Sequence, residues 1–159
     1  MHSRSVDGIV IRPLRDGDTA TVQSVFARLG TESRRRRFGA AKPELPDREA
    51  AELARIDGVR HVLVAYVDGD ARPAGIARLV RQGDAAEVAF EVADARQGQG
   101  IGTALARALA DDARAAGIVE FRATVAGENP RAVSILARCA RGLRGTWRGG
   151  ERRLVAVLD

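Results

Sequence analysis

One segment constrains the fold of this chain more than any other, the glycine-rich run Gln97-Gly98-Gln99-Gly100-Ile101-Gly102. It follows an alternating apolar segment over 88–92 and precedes helical spacing over 103–115, so it predicts a turn between a strand and a helix N-terminus. Glycines let the main chain approach a bound anion, and the amides and dipole of a helix N-terminus favour negative charge. The sequence therefore predicts a pyrophosphate site at this turn.

The spacing of the glycines separates this turn from two other phosphate-binding motifs. A P-loop would need a Lys-Ser or Lys-Thr pair after the glycines, and none follows. A dinucleotide-binding fingerprint would need Gly or Ala where Thr103 stands. The pattern Gln97-x-x-Gly100-x-Gly102 instead resembles the acetyl-CoA signature of the GNAT superfamily of N-acetyltransferases.

Length and composition limit the class of protein. The 159 residues suffice for one domain with its own core, so we expect a single domain over residues 1–159, of which 1–7 are flexible. No apolar run approaches the roughly 20 residues of a membrane span, and residues 1–7 lack the apolar core of a signal peptide, so we expect a cytoplasmic protein without a membrane partner. The single cysteine, Cys139, excludes an internal disulfide and a cysteine zinc cluster, and we expect no metal.

The net charge of +5 does not by itself indicate a nucleic-acid partner. Almost all the basic residues are arginines spread among acidic residues, and aromatic residues make up only 4% of the chain, too few for base-stacking surfaces. A positive field would still favour a ligand with several phosphate charges. Nucleic acid is therefore not the expected partner, whereas an anionic coenzyme is compatible with the charge.

Hydrophobic periodicity predicts the order of the secondary structure. Strands are predicted at residues 8–14, 61–67, 73–81, 86–93 and 119–125, with a closing hairpin around Gly149 and Gly150. Helices are predicted from Asp18 or Thr19 to 29, from 46 or 47 to about 56, over 103–115, and from near Pro130. Residues 31–45 are predicted to be a loop that, with the short helix after it, covers one end of the sheet.

This order of elements is similar to that of a GNAT domain. The resemblance implies an α+β fold (mixed α/β) with a mostly antiparallel, twisted central sheet of about seven strands and about four flanking helices. The sheet is expected to splay between the fourth and fifth strands, here 86–93 and 119–125, and a bulge usually accompanies that separation.

The resemblance also implies acetyl-CoA as co-substrate and assigns its contacts. The pyrophosphate is expected on the turn formed by Gln97, Gly98, Gln99, Gly100, Ile101, Gly102 and Thr103. The pantetheine arm is expected to pair with Glu91, Val92 and Ala93, much as an added strand pairs with a sheet edge. Asn129, the only asparagine, stands where the family often has an Asn near CoA; an N-cap before Pro130 is a compatible second role.

Two glutamates are the candidate catalytic residues. Glu87 lies in the segment Ala86-Glu87-Val88-Ala89-Phe90, which resembles the strand that carries the general base in histone-type and bacterial protein-lysine acetyltransferases of this superfamily. Strand alternation places Glu91 on the same face as Glu87, where repulsion and burial would raise the pKa of one carboxyl. The alternative for both is an ordinary solvent-facing position on a strand. A main-chain amide near Glu91 or Val92 is the expected oxyanion donor.

The chain departs from the family where a tyrosine would protonate the departing thiolate. That position holds Leu136, so a water, the low basicity of the thiolate itself, or Ser134 must take over. Cys139, on the same helix, is expected to be a buried small apolar residue rather than an acyl carrier. His61, at the start of a strand, is expected to be a satisfied strand end rather than a catalytic base.

The predicted function is transfer of an acetyl group from CoA to a primary amine, on a protein lysine or a small molecule, by direct attack. The segment Ser33-Arg34 with Arg37-Phe38-Gly39 resembles a loop of bacterial protein-lysine acetyltransferases and favours a lysine acceptor, with the arginines near the acceptor entrance or the CoA phosphates. A solvated basic turn is the alternative. A catalytically silent acyl-CoA-binding sensor or partner module is the alternative function, and a homodimer is left open.

Overall fold

A computed structural model describes residues 3–127 and 129–158 of the chain. Within these residues there are eight strands and five α-helices. The strands are β1 (Arg4–Val6), β2 (Ile9–Pro13), β3 (Arg60–Val67), β4 (Pro73–Gln82), β5 (Ala85–Val92), β6 (Glu120–Ala126), β7 (Gly142–Arg148) and β8 (Glu151–Val157). The helices are α1 (Thr19–Ala27), α2 (Thr31–Phe38), α3 (Asp47–Leu53), α4 (Ile101–Ala115) and α5 (Pro130–Cys139), and a 3-10 turn lies at Asp94–Arg96.

All eight strands form one sheet in the order β1-β2-β3-β4-β5-β6-β8-β7. Every neighbouring pair is antiparallel except β5 and β6, which run parallel. The parallel pairing covers only Ala85 to Glu87 of β5, although β5 continues to Val92. The sheet therefore splays beyond Glu87, between the two strands for which the splay was predicted.

The helices bury apolar side chains against both faces of the sheet. On one face, Leu105 and Leu109 of α4 and Leu136 of α5 join the core that contains Leu63, Leu79 and Val88. On the other face, Val22, Val25 and Phe26 of α1 pack with Val62, Val64 and Ile76. The first core lies beside both halves of the sheet, whereas the second lies on the half formed by β2 to β4.

Two elements were absent from the sequence prediction. Residues 1–7 were expected to be flexible, but Arg4–Val6 forms a strand that pairs with β2 and is tied to α4 by an ion pair between Arg4 and Asp112; Met1 and His2 lie outside the described residues. Residues 31–45 were expected to be a loop, but they contain α2. No residue of α2 is buried, and its sequence, TESRRRRF, accordingly has no apolar periodicity from which a helix could be predicted. About seven strands and about four helices were expected, and the described residues form eight strands and five α-helices.

The expected bulge is not found where β5 faces β4. The register of this pair is continuous from Gln82 opposite Ala85 to Gly75 opposite Val92. The register shift that the structure does contain lies between β3 and β4, at Ala65 and Tyr66. The splay therefore arises because β6 diverges from β5. Beyond Glu87, β5 is paired with β4 on one side and has no partner among the described strands on the other.

Candidate active site

The splay opens a cleft of about 600 Å³ between β5 and β6. The N-terminus of α4 and one side of α5 form its floor on one face of the sheet, and α2 borders it on the other. Of the predicted site residues, those along its walls are Glu87, Glu91, Val92, Gln97, Gly98, Gly100, Ile101, Gly102, Thr103 and Asn129. Gln99 and Ala93 are not part of the lining.

The glycine-rich turn has the conformation that the motif predicts. Gly98 and Gly100 have φ angles of 78° and 84°, in the left-handed region that favours glycine. Nothing lies within 4 Å of where a Cβ would stand on either residue, so the main chain of the turn is open on that side. The helix α4 begins directly after Gly100, two residues before the predicted start at 103.

Gly102 is required for a different reason, the close approach of α4 to α5. A Cβ on Gly102 would lie 2.6 Å from Cδ1 of Ile135. The first turn of α4 therefore lies directly against α5, and both helices contribute to the same wall of the cleft.

The side chains of Gln97 and Gln99 form hydrogen bonds with other residues of the protein. The side-chain amide of Gln97 donates to the carbonyl of Val92 at 3.2 Å and to the hydroxyl of Ser33 at 3.3 Å. Gln99 accepts from Arg96 at 3.4 Å, and its side chain is exposed. Gln97 therefore joins the end of β5 to the helix α2.

The free edge of β5 presents alternate main-chain amides to the cleft. The N–H of Ala93 donates to the carbonyl of Ala74 in β4 at 2.8 Å, so it faces away from the cleft. Because strand amides alternate in direction, the N–H groups of Val92 and Phe90 point to the side from which β6 departs. Of Glu91, Val92 and Ala93, only Val92 thus turns its amide toward the opening.

Glu87 lies at the last position where β5 pairs with β6, opposite Arg122. Its side chain is half-buried, and burial raises the pKa of its carboxyl, while the charges of Arg122 and Arg153 oppose that rise. Repulsion by Glu91, which the sequence analysis invoked, is not among the causes. Burial thus makes this carboxyl in the cleft a stronger proton acceptor than an ordinary glutamate.

Glu91 shares that face, as strand alternation predicted, but its surroundings differ. Its side chain is 6% exposed and forms an ion pair with Arg37 of α2, with 3.0 Å between Arg37 Nε and Glu91 Oε1. The neighbouring Arg78 of β4 is largely buried, which together with repulsion from Arg37 lowers its pKa to about 10. Glu91 therefore lies close to two partly buried guanidinium groups, those of Arg37 and Arg78.

Arg37 was predicted from the sequence, whereas Arg78 and Asp94 were not. Arg78 occupies an apolar strand, PAGIARLV, and nothing in that pattern singles it out. Asp94 accepts hydrogen bonds from the N–H of Gly30 at 3.0 Å and the hydroxyl of Ser33 at 2.6 Å. The arginine at position 34, predicted with Arg37, instead packs over the Phe26 ring and donates to main-chain carbonyls, away from the cleft.

The residues of α5 have separate roles. The side chain of Asn129 caps the helix by accepting from the N–H of Ala132 at 3.2 Å, and it also lines the cleft. Leu136 is buried in the core, whereas Ser134 is exposed at the cleft. Cys139 is buried, its thiol donates to the carbonyl of Leu136, and burial raises its pKa, which disfavours the thiolate that acyl transfer would need.

The remaining candidates lie outside the cleft. His61 contacts Asp112, with 2.8 Å between Nε2 and Oδ2, and is a satisfied strand end as predicted. Across residues 3–127 and 129–158, no three His, Cys, Asp or Glu side chains group in a way that could hold a metal ion. No helix in that part of the chain has the length and apolarity needed to cross a membrane.

The cleft can accept an extended ligand that carries a diphosphate. The open glycine turn and the N-terminus of α4 offer main-chain donors at one end, and the free edge of β5 offers a line of further donors toward Glu87. Arg96, Arg131 and Arg138 add positive charge near the turn and α5. These residues fit the shape and charge of an acyl coenzyme A.

Comparison with known proteins agrees with this geometry. Residues 28–140 match the sequence profile of the Acetyltransferase (GNAT) family. The chain is 32% identical over 140 residues to acetyltransferase Pat of Mycolicibacterium smegmatis, covering 85% of this chain and 41% of that protein. It therefore spans about two fifths of the length of this relative.

Solved structures show the same fold. The GNAT domain of S. lividans PAT superposes with a TM-score of 0.83 at 29% identity, over 94% of this chain and 90% of that domain. A cAMP-binding acyltransferase from Mycobacterium smegmatis superposes with a TM-score of 0.64 at 27% identity, over 99% of this chain and 47% of that protein. Together with the cleft and its glycine turn, these matches show that the chain is an acetyltransferase domain of the GNAT family.

Proposed function

We propose that this chain transfers an acetyl group from acetyl-CoA to a primary amine, on a protein lysine or a small molecule, with Glu87 as the general base. The observation that carries the proposal is the position of Glu87, a half-buried carboxyl with a raised pKa, at the point where the pairing of β5 with β6 ends. The similarity to acetyltransferase Pat supports acetyl transfer as the reaction.

The cofactor site is proposed to consist of main chain more than side chain. The amides from Gly98 to Thr103 would bind the pyrophosphate, and the free edge of β5 at Val92 would pair with the pantetheine arm. The side chain of Asn129 caps α5 and also lines the cleft, so its amide group would contact the same ligand. When bound, acetyl-CoA supplies an acetyl thioester.

Glu87 is proposed to accept the proton of the attacking amine. An alkylammonium group with a pKa of about 10.4 is neutral in only about one molecule in a thousand at pH 7, so a proton acceptor is needed. The amine nitrogen forms a bond to the acetyl carbonyl carbon, Glu87 takes the proton directly or through water, and the carbon–sulfur bond breaks as the thiolate leaves. The N–H of Val92 is the proposed donor to the oxygen on which negative charge develops.

Glu91 is assigned a positioning role in this proposal. Its carboxylate is already committed to Arg37 and lies close to Arg78, so it is poorly suited to accept a proton. It joins α2 to β5 on the acceptor side of the cleft. The thiolate leaves without a tyrosine, and either water or the exposed hydroxyl of Ser134 can supply its proton.

The alternative function is an acyl-CoA-binding module without turnover, and the apolar Leu136 at the tyrosine position favours it. Release of CoA thiol in the presence of amines supports the enzyme. Thermal stabilisation by acetyl-CoA without any thiol release, across lysine peptides and small amines, supports the module.

A pair of variants tests the base. Glu87→Gln removes the proton acceptor and retains the shape, so we expect kcat/KM to fall about 100-fold or more with little change in acetyl-CoA affinity. Glu44→Gln, an exposed glutamate outside the cleft, is the matched control. Equal rates for Glu87→Gln and the parent protein would contradict the role of Glu87.

A further inference from the structure

We propose that the open sheet face beside Glu87 binds an acidic polypeptide segment that carries the acceptor lysine. This inference rests on the proposed function and adds the kind of acceptor. Six arginines lie on the side of Glu87 and are here called the basic acceptor face. Arg36, Arg37 and Arg78 line the cleft, and Arg122, Arg144 and Arg153 lie on the neighbouring strands of the sheet.

Strand register places three of these arginines on one face with Glu87. Arg122 is the direct neighbour of Glu87 across the parallel pair, and Val155 of β8 lies opposite Arg122. Arg144 of β7 lies opposite Val155, and Arg153 lies two residues before it on β8. Since side chains opposite each other in a sheet share a face, Arg122, Arg144 and Arg153 extend outward from Glu87 on one surface.

This part of the sheet is exposed on the face in question. The side chains of Arg122, Arg144 and Arg153 are all exposed, while Phe121, Ala123 and Leu154, which alternate with them, are buried on the other face. The helices α4 and α5 cover that other face. The three arginines therefore border a surface that an incoming chain can reach.

The remaining three arginines form the opposite wall of the entrance. Arg37 and Arg78 lie against Glu91 at the end of β5, and Arg36, one residue before Arg37, also lines the cleft. Burial lowers the pKa of Arg78 to about 10, while the charges of Glu91 and Glu52 partly oppose that fall. All three arginines therefore add positive charge to this wall.

Among the residues that the structure describes, the charges on this face do not balance. The six arginines are accompanied by four nearby carboxylates, those of Glu87, Glu91, Glu120 and Asp84. On the same side, Glu32 forms ion pairs with Arg35 and Arg36, and Glu151 lies opposite Arg148. Counting Arg35 and Arg148 together with these two glutamates adds two charges of each sign. An acceptor amine arrives as a cation and is repelled by this excess unless negative groups accompany it.

The size of the face indicates a polypeptide. From β5 to β7 the surface crosses three strand spacings, about 14 Å in all, which exceeds the length of most small amines. An extended chain advances about 3.3 Å per residue, so acidic side chains within about four residues of the lysine would reach Arg144 and Arg153. We therefore expect Asp or Glu at these positions in the acceptor.

The test compares two acceptor peptides that differ only in charge. One carries aspartates two and four residues from a single lysine, and the other carries asparagines there. We expect kcat/KM for the acidic peptide to be about tenfold higher at low ionic strength, and the difference to shrink as salt is added. Binding of each fluorescent peptide to the CoA-saturated protein, measured by anisotropy, provides the same comparison without turnover.

Charge reversal tests the surface itself. Arg144→Glu is expected to reduce the preference for the acidic peptide at least threefold in both measurements, and Arg144→Lys to retain it. Arg107→Glu makes the same charge change at an exposed position of α4, the helix on the other face, and should not alter the preference.

The outcomes separate this inference from the proposed function. Acetylation of both peptides with equal kcat/KM, or a preference that Arg144→Glu leaves intact, overturns the inference and leaves acetyl transfer standing. Preferred acetylation of small anionic amines over the acidic peptide also overturns it. Absence of acetylation from every acceptor contradicts the proposed function, and the anisotropy comparison then decides on the acidic partner.

Discussion

Ser33 of α2 donates a hydrogen bond to Asp94, with 2.6 Å between Ser33 Oγ and Asp94 Oδ1. The other oxygen of the same carboxylate accepts the N–H of Gly30, 3.0 Å away. Among the described residues no side chain caps the N-terminus of α2, and Asp94, in the turn that precedes the glycine motif, instead binds the N-cap residue Gly30 and the side chain of Ser33. The helix that carries Arg36 and Arg37 is thereby attached to the cofactor turn.

This attachment predicts a specific phenotype for Asp94→Ala. An isolated polar helix of eight residues is unstable in water, so α2 depends on such contacts for its formation. We expect the KM for the amine acceptor to rise about tenfold, hydrogen exchange over residues 31–38 to accelerate, and acetyl-CoA affinity to change less.

An aspartate that caps a helix away from the cleft provides the control for this experiment. Asp18 caps α1 by accepting from the N–H of Thr21 at 3.1 Å, and α1 does not border the cleft. Asp18→Ala is expected to lower the free energy of unfolding by about 1 kcal/mol without altering the KM for the acceptor. If both variants change the KM alike, the effect of Asp94 is a general loss of stability.

The raised pKa of Glu87 predicts how rate depends on pH. Only the ionised carboxylate accepts a proton, so kcat/KM should fall as pH decreases through the pKa of Glu87, which burial places above its ordinary value of 4.5. This acid limb should be absent from the residual activity of Glu87→Gln. An acid limb that persists unchanged in the variant would assign it to another group.

The same pKa direction has a consequence for stability. Because the folded-state pKa of Glu87 exceeds its unfolded value, the fold favours the protonated form, and the carboxyl reduces stability as pH rises through that pKa. Glu87→Gln should therefore melt at the same temperature as the parent protein or slightly above it at pH 7 to 8. A marked loss of stability would indicate that the charge of Glu87 is needed for folding.

The parts of the site predicted from sequence are those fixed by local backbone requirements. Gly98 and Gly100 adopt positive φ angles, and the helix after them follows from the periodic burial of residues such as Leu105 and Leu109. The face shared by Glu87 and Glu91 follows from strand alternation. Such features depend only on neighbouring residues, so the sequence contains them directly.

The parts that were missed depend on contacts between distant segments. The helix α2 has no apolar side, and its position depends on Asp94, some 60 residues away, at 2.6 Å from Ser33. Arg78 lies in an apolar strand and acquires its importance only when Glu91 and Arg37 are placed beside it. The pairing that commits Glu91 to α2 could not be predicted while residues 31–45 were assigned to a loop.

Because Glu91 forms an ion pair with Arg37, we expect Glu91→Gln to destabilise the fold without removing the general base. Glu91→Gln leaves Arg37 and Arg78 close together without the carboxylate, and removal of one partner of a largely buried pair costs about 3 kcal/mol. We expect a lower denaturation midpoint and a higher acceptor KM, with the acid limb of the pH profile retained. In a double-mutant cycle with Arg37→Met, a coupling energy near zero would show that the pair does not stabilise the fold.

The contact between Gly102 and Ile135 predicts a variant that a second substitution repairs. In Gly102→Ala the new Cβ would lie 2.6 Å from Cδ1 of Ile135, so α5 must shift or the Ile135 side chain must turn. We expect a loss of about 1 kcal/mol in the free energy of unfolding and a weaker affinity for acetyl-CoA, because the first turn of α4 forms the proposed pyrophosphate site. Ile135→Val removes the clashing methyl group and should restore most of the affinity in the double variant, as measured by calorimetry. Failure of this rescue, with Ile135→Val alone behaving as the parent protein, would mean that the extra methyl group at position 102 obstructs the ligand itself.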